Sequence, residues 1–491
     1  MPAEDSPTVR KLPALSRVDV VPRVKWGGVA ASAAVALGVT RAGTAGGAMP
    51  PDGPLGLWRP DLQHPVGWAV LALLGLSALV LVFLQLHRLA SAAAVDVRTV
   101  AVIAFWWSVP MLVAPPVLSL DVWSYLAQGT MVHTGLNPYL YGPSLLGPGS
   151  ILDAVSPVWR DTPAPYGPLM LGTLELVAYF SAAHLSVAAL LLRAVVVVAV
   201  VVMGVLVVRM APVEERPPAL ALVAANPLVI IHLIGGAHLD ALLAVLAAVT
   251  IWCVRRRWYA VAALAAATAF SIKLPGILLA GYLLAHLVRN RVPVHRMLGS
   301  VATLGAVTLG CALLVPDGFG WIGAMDVPGL VRIYWAPASI AGGLIYLATG
   351  ASVPFTDALA LARSVVAAAG AIAVAALLWR AGAEPSWRRA GALVGAALLT
   401  LAVSGPVMHA WYAVWGGVLL AALAGPAFRS WAIVLGAALC FSAVPDHLGG
   451  TVWSVLAVPL CLTIVVVDAV RTAMPARVRS WVVESAAVER A

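Results

Sequence analysis

Charge is what this chain has least of. Only 10% of its 491 residues are Asp, Glu, Lys or Arg, while 62% are hydrophobic; an average soluble domain carries about 25% charged residues. Too few charges remain to clothe a soluble fold of this size, so that class is excluded. Lysine is almost missing: Lys11, Lys25 and Lys273 are the only ones. The four cysteines (Cys253, Cys311, Cys440 and Cys461) lie in or at the ends of apolar runs, with no CxxC or metal-ligand spacing. That excludes a disulfide framework or thiol redox motif and leaves small buried side chains. There is no Asp-x-Asp, no His-x-x-x-His and no carboxylate cluster, so no obligatory metal is expected. No internal repeat is visible, so the inverted-repeat signature of many secondary transporters is lacking. The first 25 or so residues are polar, with Arg10, Lys11, Arg17, Arg23 and Lys25. They are too long and poorly built for a cleaved signal peptide and read as a cytoplasmic tail.

What the chain does have is apolar runs of about 17–23 residues, the length that crosses a hydrocarbon core about 30 Å thick. Backbone groups in lipid must be paired within the segment, so these are helices. The reading is an all-α polytopic membrane protein with about fourteen spans, near 27–47, 66–86, 99–118, 187–208, 218–234, 239–254, 258–272, 275–288, 297–315, 357–379, 390–404, 406–424, 430–445 and 451–470. The net charge of +9 sits mostly in short loops and therefore speaks of topology, not nucleic acid. With the N-terminus inside, the loops 87–98, 209–216, 255–257, 289–296 and 380–389, Arg429 and 471–479 all fall inside, and the opposite loops are poor in arginine, as the positive-inside rule requires. This works only if 168–184 does not cross, so that stretch is expected to be a helix lying along the outer surface. The expected organisation is a cytoplasmic basic tail (1–26), one transmembrane domain (27–470) with two long extracytoplasmic loops (119–186 and 316–356), and a second cytoplasmic tail (471–491).

Those two loops hold most of the polar residues that topology leaves unexplained. The richest strings are Asp121-Val-Trp-Ser-Tyr125, Gly135-Leu-Asn-Pro-Tyr139 and Pro157 to Pro168. Asp121 directly follows the third span. A carboxylate at that depth is a functional suspect, although Asp is also a favoured helix N-cap. Tyr125, Asn137, Tyr139 and Tyr166, interleaved with Arg160 and Asp161, suit a sugar by offering flat apolar faces and hydrogen-bond partners; the alternative for each aromatic is the interfacial belt. Arg160 pairs with Asp161 or a substrate. Lys273, at the outer end of a span, is a candidate for a lipid phosphate or a lysine snorkelling to the interface. Arg332 breaks the arginine-poor pattern of the outer loops and is a second phosphate candidate. His238 and Asp240 share one outer turn, where Asp240 either orients His238 or caps the next helix. His409, with Trp411 and Tyr412, marks another turn and suits phosphate or sugar binding.

An Asp after an early span, a Tyr166-Gly-Pro-Leu169 leading into the surface helix, and later outer turns bearing His and Asp resemble the GT-C glycosyltransferases. The closer resemblance is to actinobacterial polyprenol-phosphomannose-dependent α-1,6-mannosyltransferases. It is carried by 121–125, 135–139, 159–168, Asn226-Pro-Leu228, 235–240, Lys273-Leu-Pro275 and 409–412, and extends over most of the chain after about residue 60. The resemblance implies a GT-C-like architecture, polyprenyl-phosphate-mannose as donor substrate and a lipid-anchored mannan as acceptor. It further implies α-1,6 linkages made at the outer membrane face, with Asp121 as catalytic base. It calls for no further cofactor and no nucleic acid. A different sugar, arabinose or glucose, is the nearest alternative. A polyprenyl-lipid transporter or flippase is a more distant one, because it needs ionisable groups deep in the spans, whereas Arg193 and Arg363 lie near span ends.

Overall fold

The computed structural model describes residues 17–43, 53, 58–61, 63–333, 335–442, 444 and 463. The expected span 451–470 apart from residue 463, the tail 471–491, Cys461 and residues 1–16 of the N-terminal tail lie outside the described residues. Among the described residues every regular element is a helix. They are α1 (Arg17–Ala42), α2 (Pro65–Ser91), α3 (Val97–Val113), α4 (Asp121–His133), α5 (Ser150–Ala154), α6 (Pro168–Ser181), α7 (Leu185–Met210), α8 (Arg216–Leu220), α9 (Asp240–Arg255), α10 (Tyr259–Ile272), α11 (Ile277–Arg289), α12 (Val294–Ala312), α13 (Pro337–Ala348), α14 (Phe355–Ala383), α15 (Trp387–Ser404), α16 (Ala413–Leu423) and α17 (Pro426–Phe441).

Three of these, α2, α7 and α14, with 27, 26 and 29 residues, are long and apolar enough to cross a membrane by length and composition. At about 1.5 Å per residue each exceeds the hydrocarbon thickness. A fourth candidate is broken: 213–225 and 229–235 pass the same test together but meet at 47°. The expected single span at 218–234 is thus corrected to two segments, each with a π-helical stretch (Ala221–Ala225 and Val229–Gly235). The break is local chemistry. Pro227 drives Asn226 out of the helical region, to φ −62 and ψ 127, and the Asn226 side chain accepts the Leu228 amide at 3.0 Å instead. The remaining apolar helices, including α3, α10 and α16, have 10–17 residues. The first helix begins at Arg17, ten residues before the expected span. Val24 is already buried there, and Pro22 lies inside the helix, in its second turn, where it removes one i→i−4 hydrogen bond.

Helices adjacent in sequence pack as neighbours: α1 on α2, α9 on α10, and α14 on α15 and α13. The stretch 168–184, expected as a surface helix, is helical over Pro168–Ser181, as α6. One side packs on α4, and Leu176, Tyr179 and Phe180 remain exposed. The α4–α6 crossing depends on Gly129, where an added Cβ would stand 2.1 Å from the Leu174 carbonyl oxygen. Gly129→Ala should therefore push the two helices apart and lower stability by about 1–3 kcal/mol, read as a drop in the thermal midpoint; an unchanged midpoint would show that the crossing yields without cost.

Candidate active site

Two helices begin with a carboxylate facing the same region. Asp121 opens α4 and Asp240 opens α9, where the positive end of each helix favours an anion. The N-cap of α4 is Leu120, with no side-chain cap bond, so the Asp121 carboxylate is not spent on capping. It lines a cavity instead. Lys273 follows the last residue of α10 in extended conformation, before the Leu274-Pro275 pair. Because α9 and α10 form a hairpin, the start of one and the end of the other are neighbours. Lys273 Nζ donates to Asp240 Oδ1 at 2.8 Å, and Trp415 Nε1 donates to the same oxygen at 2.7 Å. Asp240 therefore neither caps α9 nor orients His238; it anchors Lys273.

Lys273 does not snorkel. Its ammonium lies 4.4 Å from the Tyr412 ring centroid, 5.2 Å from Trp415 and 5.8 Å from Tyr166. Tyr412 stacks on Trp415 at 4.3 Å. Tyr166 is held to the same corner because Gly167 N donates to Ile272 O at 3.0 Å. A Cβ on Gly167 would fall 2.3 Å from the Ser271 carbonyl oxygen, so only glycine allows this approach. Tyr166 also meets Tyr125 edge-on at 5.6 Å. Burial works against the Lys273 ammonium, but Asp240 in particular outweighs it and keeps the group cationic beyond its ordinary range. Burial pushes the Asp121 carboxyl up to about 6; Lys273 opposes this and Asp240 adds to it.

Behind Asp121 stands an aromatic column. His238 Nδ1 is 3.8 Å from Asp121 Oδ2, and the imidazole is fully buried with neither ring nitrogen hydrogen-bonded. Burial holds its pKa well below the usual value, so the ring is neutral and the contact is not an ion pair. His238 stacks on Trp411 at 3.6 Å, and Trp411 stacks on His409 at 4.5 Å. His409 and Tyr412 line the cavity, while Trp411 fills the layer behind them. Much of the cavity wall is apolar, with Leu274, Met325, Val327, Leu401 and Val407.

Several expected site residues lie elsewhere. Arg332 is exposed, 5.9 Å from the Phe355 ring, and does not line the cavity. Arg160 does not pair with Asp161: its guanidinium donates to the carbonyls of Val155 (3.0 Å) and Asp153 (3.1 Å), and Asp161 is exposed. Asn137 accepts the Tyr139 amide at 2.9 Å, a turn-forming bond, and Tyr139 is buried against Gly320 in the second long loop. These residues shape the loops. Among the described residues, no group of three or more His, Cys, Asp or Glu is arranged to hold a metal ion.

One residue that holds the site was legible only as a charge near a span end. Arg193 of α7 is 2% exposed. It donates to the carbonyls of Leu112 (3.2 Å), Ala114 (2.5 Å) and Pro115 (2.8 Å) on the turn leading to Asp121. It also donates to those of Ile234 (3.2 Å) and Gly235 (2.9 Å) on the turn leading to His238. Both turns contain a non-glycine residue at positive φ, Leu118 at 55° and Ala237 at 52°, the kind of backbone strain that surrounding structure must enforce.

A family model described as "Alpha-(1->6)-mannopyranosyltransferase, N-terminal domain" matches residues 25–289, and one described as "MptB C-terminal domain" matches residues 336–472. A Mycolicibacterium smegmatis protein named "Probable alpha-(1->6)-mannopyranosyltransferase" is 30% identical over 359 residues, 64% of this chain and 63% of its own length. A Mycobacterium tuberculosis alpha-(1->6)-mannopyranosyltransferase A is 32% identical over 177 residues, 36% of this chain and 34% of its own. A second alpha-(1->6)-mannopyranosyltransferase of that organism is 28% identical over 380 residues, 64% of each. The match thus spans less than two thirds of the length of these curated relatives. No solved structure matches the chain. The first family model covers more than half of the residues, and the chain belongs to the alpha-(1->6)-mannopyranosyltransferase family.

Proposed function

We propose that the chain is an inverting mannosyltransferase that moves mannose from a polyprenyl-phosphate-mannose donor to a lipid-anchored mannan at the outer membrane face. The observation that carries this reading is the pairing, on one largely apolar cavity, of an uncapped carboxylate with a buried ammonium. Asp121 takes the proton of the acceptor 6-hydroxyl as that oxygen attacks the anomeric carbon, and the bond from this carbon to the phosphate oxygen breaks. Polyprenyl phosphate leaves with the electron pair, and a β-linked donor becomes an α-1,6 product. A positioned base of this kind is what the attack needs, and the charge growing on the phosphate needs a cation in a dry setting. Lys273 is the sole Lys or Arg among the described lining residues; its ammonium has three donors, one of them on Asp240. The apolar wall suits a prenyl chain entering from the bilayer. In this reading the shorter apolar helices other than α6 and α13 cross together with α2, α7 and α14, approaching the fourteen expected spans, with both termini cytoplasmic.

The test is transfer by the purified chain in lipid. The donor is a β-linked polyprenyl-phosphate mannose and the acceptor an α-1,6-mannoside, with polyprenyl-phosphate glucose and arabinose as competitors. An α-anomeric 1→6 mannosyl product is expected; a retained anomer, another linkage, or preference for either competitor rejects the reading. Lys273→Met should raise the donor KM by at least about tenfold, since a charge-assisted bond contributes roughly 1.5–3 kcal/mol, and should leave the acceptor KM unchanged. A normal donor KM would remove Lys273 from the phosphate site.

A further inference from the structure

The cavity wall beneath Asp121 holds two polar side chains with nothing to bind. Ser124 and Gln128 are 5% and 4% exposed, and both line the cavity. Ser124 Oγ and Gln128 Oε1 have no hydrogen-bond partner. They are the only cavity-lining residues, among those described, with a buried polar atom in that state. Ser32 and Ser271 also lack a partner, but neither lines the cavity. A helical Ser or Thr normally satisfies its hydroxyl on the carbonyl four residues back. Ser77, Ser108 and Ser404 do so at 2.7–2.8 Å, and Thr130, on α4 itself, does so at 2.8 Å.

Asp121, Ser124 and Gln128 stand at i, i+3 and i+7, which places them on one face of α4. At about 1.5 Å of rise per residue the row is roughly 10 Å long, the scale of a disaccharide. Trp159 of the facing loop lines the same space and offers a flat apolar face.

Resting on the functional reading above, we infer that this face of α4 is the acceptor subsite: Ser124 and Gln128 bind ring hydroxyls of the terminal and preceding sugars of the acceptor, and so hold the attacking hydroxyl against Asp121. The assignment to acceptor follows from position. Asp121 must face the hydroxyl it deprotonates, so the row that continues from it along α4 continues along that sugar chain. The donor's phosphate and lipid have Lys273 and the apolar wall. Buried polar groups without protein partners also make the site selective, because an acceptor lacking the matching hydroxyl leaves them unsatisfied in the complex.

The experiment uses the full chain in lipid, an α-1,6-linked mannobioside, and analogues in which each ring hydroxyl is replaced in turn by hydrogen. Gln128→Met and Ser124→Ala should raise the acceptor KM by about tenfold and a few-fold respectively, with the donor KM unchanged. For one deoxy analogue per variant, the wild type should fall to the variant's level and the variant should lose nothing further; a merely structural role would not produce this convergence. Binding of the same mannobiosides, followed by ligand-induced thermal shift without donor, reads the subsite independently of transfer. A wild type that binds all deoxy analogues as well as the parent overturns the inference, as does a change confined to the donor KM. Absence of transfer with intact, hydroxyl-dependent mannobioside binding would instead reject the donor chemistry and keep the subsite.

Discussion

Asp121→Asn is expected to slow mannosyl transfer by about 10²–10⁴-fold, the usual contribution of a positioned general base. Asparagine keeps the shape and can still meet the Trp159 indole side, but it cannot accept the proton of the acceptor hydroxyl. The KM for the donor should change little, since the lipid phosphate is assigned to Lys273. The pH profile gives a second, sharper reading. Burial raises the Asp121 carboxyl to about 6, and a base works only when ionised, so the wild-type rate should climb from about pH 5 to 7 and level off above that. The Asn variant should lose this limb. Stability should respond in the opposite sense. A carboxyl whose folded pKa lies above its ordinary 3.8 weakens the folded state as pH rises past that value. At pH 7 the Asn variant should therefore keep or raise its thermal midpoint while losing activity. A normal transfer rate for Asp121→Asn, or a loss of activity matched by a loss of folding, ends the catalytic assignment.

How much of this could be read from residues alone varies with the kind of feature. The helices α6, α7 and α14 follow from continuous apolar runs bounded by Gly-Pro, His or Pro signals, and Asp121 stands out as the carboxylate directly after such a run. Asp121, Tyr166, Lys273, His409 and Tyr412, scattered over nearly 300 positions, do meet on one cavity. The Lys273–Asp240 pair was within reach, because two helices of 16 and 14 residues joined by a short turn must bring those positions together. Arg160, Arg332 and Asn137 stand outside the cavity lining. A polar residue in an apolar chain draws notice, yet Arg160 and Asn137 serve the loop backbone, which also needs donors and acceptors. Ser124 and Gln128 look like ordinary helix filling until their burial and lack of a partner are visible. The break at Asn226–Pro227 could have been read from Pro227 alone.

Arg193→Met should have the largest effect on the fold of any single substitution considered. The guanidinium joins five backbone carbonyls on two turns without a carboxylate partner, and methionine fills similar space with no donor. Four of those bonds are buried and the one to Leu112 is part-buried, so each of the four carbonyls loses its bond at close to the full desolvation cost of about 1–3 kcal/mol. Even with relaxation the total should reach about 3–5 kcal/mol, comparable to breaking a buried ion pair. The expected result is a collapse in yield and thermal midpoint of the protein in detergent. Arg193→Lys separates folding from positioning. A lysine keeps the charge but replaces the planar five-donor fork with a point charge bearing three donors, so it can hold one turn well and not both. That variant should fold with a reduced midpoint yet transfer about 10²-fold more slowly, the cost expected when a catalytic group is misplaced by roughly 1 Å. The loss should fall on kcat, with the pH limb of Asp121 still present, because the carboxylate remains in its pocket and only its aim is lost. If Arg193→Lys transfers at the normal rate, the two turns carrying Asp121 and His238 hold their strained backbone without the staple, and Arg193 is only a buried charge that α7 tolerates.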